Sequence, residues 1–213
     1  MICLNQNDIK ALDKIPRLNL INSCMGFKSA NLLGTISKDG IYNLAVFSSV
    51  THLGSDPALL GFILRPTTVP RHTYSNIKEN NYFSVNAISD SMIENAHQTS
   101  ANYAPEINEF EVTGIKMELK NNCIVPFVRS SPVQLLCKYL NEYTIQENGT
   151  IHVIASIEEI FVQEDLLCSD YWIQLDKGNV VAINGLDGYA KTELVKRFSY
   201  ARVDRNIKCI NEK

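Results

Sequence analysis

Hydrophobic and polar positions along this chain alternate with the two-residue rhythm of half-buried strands more often than with a helical period. Apolar runs at Ala30–Ser37 (ANLLGTIS) and Tyr42–Val50 (YNLAVFSSV) flank Lys38-Asp39-Gly40, and an Asp-Gly pair between two such runs marks a hairpin turn. Further strands are predicted at Ala58–Leu64, Tyr82–Ile88, Gly114–Leu119, Val133–Thr144, Ile151–Val162 and Asn179–Asn184. A second hairpin lies within Val133–Val162 and turns at Glu147-Asn148-Gly149, where Asn-Gly supplies the bend. Two helices fit between the strands. One starts near Pro70, because a proline ring is tolerated in a first helical turn, and runs through Lys78. The other starts near Ser91, which stands at capping-box spacing from Glu94, and ends about Gln98. Seven or eight strands against two or three short helices exclude the regular alternation of a parallel sheet. The predicted class is therefore mainly β, a barrel with short helical insertions.

Length and composition add bounds. The 213 residues, 45% of them hydrophobic, suffice for one domain with a real core. That core is expected over about 20–192, with an N-terminal extension and a loose, polar tail after Arg202. A net charge of -3 and a pI near 5.8 leave no broad basic face, which argues against nucleic acid as a partner. No apolar segment approaches the roughly 20 residues that a membrane-spanning helix needs. Six cysteines, at positions 3, 24, 123, 137, 168 and 209, form no CxxC pair and no dense framework, and the chain begins without a charged, apolar leader. Both observations lead to the expectation of a reduced, cytoplasmic location with the thiols acting as small hydrophobes.

Candidate chemistry concentrates in two stretches. In Arg65–Thr73 (RPTTVPRHT), Arg65 and Arg71 offer forked donors, and Thr73 with the free N–H groups of a helix start could complete an anion cradle. A polar loop with solvated arginines fits the same residues. In Phe47–Leu53 (FSSVTHL), small hydroxyl residues stand where a barrel strand would carry bulky ones, so a flat ligand could use Ser48, Ser49 and Thr51 with the backbone of Val50. A strand end rich in Thr and Val is the plainer alternative. The four histidines lack zinc-ligand spacing, and neither a GxSxG elbow nor a nucleotide-binding GxGxxG or GxxxxGK[ST] loop occurs. Hard chemistry would have to come from a cofactor.

Taken in order, NLAVFSSVTHLGSDPALLGF, RPTTVPRHTYSNI, YFSVNAIS, HQTSANYAPEINEFE, SSPVQLLCKYL, IHVIASIEEIFV and GLDGYAKT resemble the flavin reductase-like family over roughly residues 28–192. The resemblance implies an FMN-binding split β-barrel of Greek-key type, shared with flavoredoxins and with reductase components of two-component monooxygenases. It further implies that the anion is the FMN phosphate, held by Arg71 and Thr73 with help from Arg65. Ser48, Ser49, Val50 and Thr51 would then edge the isoalloxazine and ribityl chain, and Asn86 and His152 would stand near the flavin. Tyr103, in a loop spanning Gln98–Phe110 that could cover the cofactor, is a candidate stacking residue, and Lys191 stands where many relatives carry arginine. The implied activity is transfer of hydride from NADH or NADPH to FMN, with electrons leaving to free flavin, a small acceptor or a partner oxygenase. A homodimer is implied as well. Two rivals stay open, a non-catalytic FMN-binding electron carrier of flavoredoxin type and a barrel module without a cofactor.

Overall fold

A computed structural model describes residues 1–210. Its centre is a seven-stranded antiparallel sheet built from β2 (Asn31–Ile36), β3 (Tyr42–Phe47), β4 (Thr51–Ser55), β5 (Ala58–Leu64), β6 (Tyr82–Ala87), β9 (Val133–Ile145) and β10 (Thr150–Val162). Their order across the sheet is β3-β2-β6-β9-β10-β5-β4. The two edge strands, β3 and β4, are consecutive in sequence, so residues 48–50 carry the chain from one edge to the other and the sheet curls into a barrel. Ser49 fastens this seam: its hydroxyl accepts from the Ile63 N–H at 3.0 Å and donates to the Ile63 carbonyl at 3.2 Å. Because Thr51 pairs with Gly61, position 49 is where the ladder would next meet Ile63, and the side chain makes the bonds a backbone would have made.

The barrel core contains Leu33, Leu60, Phe62, Leu64, Phe83, Val85 and Val153, with Phe47, Phe62 and Phe83 stacked edge-to-face at centroid separations of 5.4 and 5.6 Å. A second cluster lies outside the barrel wall, where Leu32 and Leu44 pack beneath α4 (Ile93–Gln98), α5 (Glu109–Thr113) and the small sheet of β1 (Lys28–Ser29), β11 (Val181–Asn184) and β12 (Gly188–Lys191). Strand β2 is thus covered on both faces, which is why NLLGTI reads as a nearly continuous apolar run. The short pair β7 (Met117–Glu118) and β8 (Phe127–Val128) lies against β6 and β2. Helix α3 (His72–Asn80) carries the chain from β5 to β6 and buries Ile77 in the barrel core.

Several expectations are corrected. The run Tyr42–Val50 is two strands and a seam, because the chain must leave one sheet edge and join the other. Gly114–Leu119 contributes only β7, since Gly114 adopts φ +74° as the C-cap of α5. Helix α3 begins two residues after Pro70, and Ser91 makes no capping bond to the helix, which opens with a 3-10 turn at Asp90–Met92. Residues 197–210 form a small hairpin in which the Ser199 N–H donates to the Lys208 carbonyl and the Ile210 N–H to that of Arg197. Arg197 anchors this hairpin by an ion pair with Asp170 and by lying 4.5 Å over the Trp172 ring. The N-terminal extension is two helices, α1 (Gln6–Ala11), capped by an Asn5–Asp8 box, and α2 (Lys14–Ser23). Neither buries a residue, and Ile15, Met25 and Phe27 are 62%, 74% and 67% exposed. Among the described residues no helix is long and apolar enough to cross a membrane.

Candidate functional site

The C-terminal end of β5 gathers most of the residues singled out in the sequence. Ser49 stands opposite Ile63 on one side of that strand and His152 pairs with Ile63 on the other. Arg65 follows directly, and the connection through Arg71 enters α3. Leu60, Phe62 and Leu64 point into the barrel, so Gly61 and Ile63 face outward, as do their partners Thr51 and His152. Gly61 leaves room for the imidazole: a Cβ there would sit 2.5 Å from His152 Nε2. Segment 48–51, Arg65 and His152 therefore meet at one corner, and the connection 66–71 leads from it to α3.

Arg71 occupies the N-cap position of α3, where no side chain caps the helix. Its Nε is shielded from solvent and has no hydrogen-bond partner. A guanidinium N–H sealed from water without an acceptor costs free energy, and so do unsatisfied N–H groups in a first helical turn. An anion at this point would satisfy both, and the helix dipole favours it. The residues present thus fit a phosphate-bearing ligand.

The remaining candidates have other engagements. The Thr73 hydroxyl donates at 3.0 Å to Asn43 Oδ1, inside a buried set in which Asn76 Nδ2 donates to Thr35 Oγ1 and Thr35 to the same Asn43 oxygen. What Thr73 can offer a ligand is its backbone N–H. Asn86 is a correction. It is fully buried, its Nδ2 donates to the Leu32 carbonyl and to Ser84 Oγ, and its Oδ1 accepts from the Val128 N–H, so the amide pins β8 to the barrel and has nothing left for a ligand. The Tyr103 hydroxyl accepts from Gln98 Nε2, and Lys191, 76% exposed, pairs with Asp90 at 2.7 Å. The Val50 carbonyl accepts from Ser29 Oγ, which ties β1 to the seam. No group of three or more His, Cys, Asp or Glu side chains could hold a metal among the described residues.

Sequence reasoning missed a cleft of about 530 Å³ along α3, between Ser37–Asn43 of the first hairpin and Pro105–Ile107. It also missed Glu109, whose buried carboxylate accepts from the Leu44 N–H and so covers a donor of edge strand β3. Neither carries a local sequence signal, since both depend on which loops meet.

Residues 26–174 match the family model described as "Flavin reductase like domain". The chain belongs to this family. Within it, this flavin reductase-like chain is similar to a split-barrel-domain structure from Shewanella frigidimarina NCIMB 400, at 39% identity and a TM-score of 0.91, covering 94% of this chain and 100% of that one. It shares its fold with nitrilotriacetate monooxygenase component B from Bacillus cereus, at 18% identity and a TM-score of 0.78, over 91% and 96% of the two chains. The fold also matches flavoredoxin of Desulfovibrio vulgaris (Miyazaki F), at 18% identity and a TM-score of 0.69, over 84% and 91%. The split barrel expected from the resemblance is thus the fold of this flavin reductase-like protein.

Proposed function

We propose that this flavin reductase-like protein is an FMN-dependent oxidoreductase that uses NADH or NADPH and delivers electrons to free flavin, a small acceptor or a partner oxygenase. The observation that carries the reading is the sealed, partnerless Nε of Arg71 at the uncapped start of α3. When bound, FMN supplies the redox chemistry, taking hydride from the nicotinamide and releasing electrons to the acceptor. Arg71 and the first N–H groups of α3 hold the phosphate. Ser48, the backbone of Val50, and Thr51 line the corner where the ring edge rests, and His152 bounds it on the β10 side. Arg65, exposed beside the corner, adds positive charge. We further propose a cytoplasmic homodimer, the second copy covering the exposed apolar surface of Ile15, Leu18, Ile21, Met25 and Phe27.

The test compares FMN with riboflavin, which lacks the phosphate. A charged hydrogen bond contributes about 1.5–3 kcal/mol, so Arg71→Ala should weaken FMN binding about 10–100-fold and leave riboflavin binding unchanged. Equal loss for both ligands removes Arg71 from the phosphate site. The electron-carrier reading draws on the fold shared with a flavoredoxin. Stopped-flow mixing with NADH and NADPH separates the two, because a carrier would keep its yellow absorbance with both.

A further inference from the structure

The hairpin of residues 197–210 takes no part in the corner assigned to the flavin. In it Phe198 bridges Cys209 and Arg202 bridges Arg205, so Tyr200 stands opposite Ile207. Residues opposite each other in an antiparallel pair point to the same side, and the side alternates at each step. One face therefore carries Phe198, Tyr200, Ile207 and Cys209, with Arg202 and Arg205 at its tip. Arg197, Ser199 and Ile210 lie on the opposite face, and all three are partly covered. The first face is bare: Phe198, Tyr200 and Ile207 are 53%, 89% and 65% exposed, and Val203, in the turn, is fully exposed. A lone two-stranded ribbon is marginal in water, and an apolar face left open on one marks a contact surface.

The charge of the segment selects what covers it. Residues 196–208 hold Lys196, Arg197, Arg202, Arg205 and Lys208 against one carboxylate, Asp204, a net of +4 in a chain of net -3, which leaves -7 for the rest. Arg197 is committed to Asp170 and Trp172, and Arg205 lies 3.6 Å from Asp204 in a well-exposed pair. Lys196, Arg202 and Lys208 are exposed as well. Aromatic and aliphatic side chains interleaved with guanidinium groups complement a surface that is negative outside and apolar beneath. A protein partner fits less well, because stable protein interfaces take about 20–30 residues a side and this face offers six. Attachment to a membrane needs only a few inserted apolar groups and a matching charge. The uneven charge also orients the molecule, since an anionic surface attracts the hairpin and repels the body.

We propose that this face docks on an anionic lipid membrane. Phe198, Tyr200 and Ile207 enter the headgroup layer, and Arg202 and Arg205 meet the lipid phosphates. The docking is independent of the flavin reading and uses no residue of the corner, of α1 or of α2.

The full chain is to be sedimented with sucrose-loaded vesicles of phosphatidylcholine alone and of phosphatidylcholine with phosphatidylglycerol in equal parts. Binding is expected to the mixed vesicles only, and it should be lost between 0.1 M and 1 M NaCl, as the screening length falls from about 10 Å to about 3 Å. Each Lys or Arg at an anionic membrane contributes about a fivefold gain. Arg202→Ala/Arg205→Ala should therefore weaken binding about 25-fold, while Arg202→Lys/Arg205→Lys keeps it within about twofold. Phe198→Ser/Tyr200→Ser should weaken it at least about tenfold. Equal binding to both vesicles, binding to neither, or an alanine pair that binds like the parent would overturn the proposal. Retention on immobilised poly-L-glutamate without vesicle binding would make the face a dock for an acidic protein. Hairpin variants that lower the solution mass, again without vesicle binding, would make it a contact between copies. Either outcome overturns the lipid assignment.

Discussion

Replacing Ser49 by alanine removes two hydrogen bonds that close the barrel and nothing else of consequence. The Ile63 N–H, which now donates to Ser49 Oγ at 3.0 Å, would lose its acceptor in a half-buried seam, and the Ile63 carbonyl would lose a donor. A buried donor left unsatisfied costs about 1–3 kcal/mol, and partial water access at this site keeps the figure near 1–2 kcal/mol. For a domain of this size each kcal/mol moves the midpoint by about 2–4 °C, so Ser49→Ala should melt about 2–8 °C below the parent. Thermal melts followed by circular dichroism measure this directly. Ser49→Thr keeps the hydroxyl and should recover most of the loss. If Ser49→Ala melts with the parent, or if the threonine variant falls as far as alanine, the seam is held by something other than this side chain.

Three further outcomes follow from buried groups. Asn86→Leu strands the Val128 N–H and the Leu32 carbonyl, and should cost about 3 kcal/mol in urea unfolding while the folded fraction keeps its flavin affinity; lost affinity at unchanged stability would return Asn86 to the ligand site. Burial pushes the Cys137 thiol well above its ordinary value of 9.0, so the folded chain keeps a proton that the unfolded chain gives up. Stability should therefore fall as pH rises above about 9. At pH 8, Cys3, Cys24 and Cys209, all exposed, should react with a thiol reagent long before Cys137 does, and early labelling of Cys137 would contradict its burial.

Strand positions were legible because side chains alternate where one face is buried, and both hairpin turns were announced by glycines at +81° and +70° in φ. What misled was a pattern that local sequence cannot resolve. YNLAVFSSV has the composition of one strand, yet the chain changes partners after Phe47, from β2 on one side of the barrel to β5 on the other. The family resemblance pointed to Arg71, which stands at the uncapped start of α3 with an Nε that has no hydrogen-bond partner. It also drew in Asn86, since a polar residue in an apolar strand looks the same whether it serves a ligand or three internal hydrogen bonds. The cleft amides were invisible for the converse reason: Asn43 and Asn76 are far apart in sequence, and only α3 crossing β2 and β3 joins them.

The first two helices spend well-formed turns on residues that the rest of the chain does not cover. Short helices in water are marginal without tertiary support. Under the proposed homodimer their order would be set by mass action rather than by the barrel, and dilution should melt them while the strands stay intact. A protease added at nanomolar protein would shorten the chain from its front, and the same protease at high concentration would find that end closed.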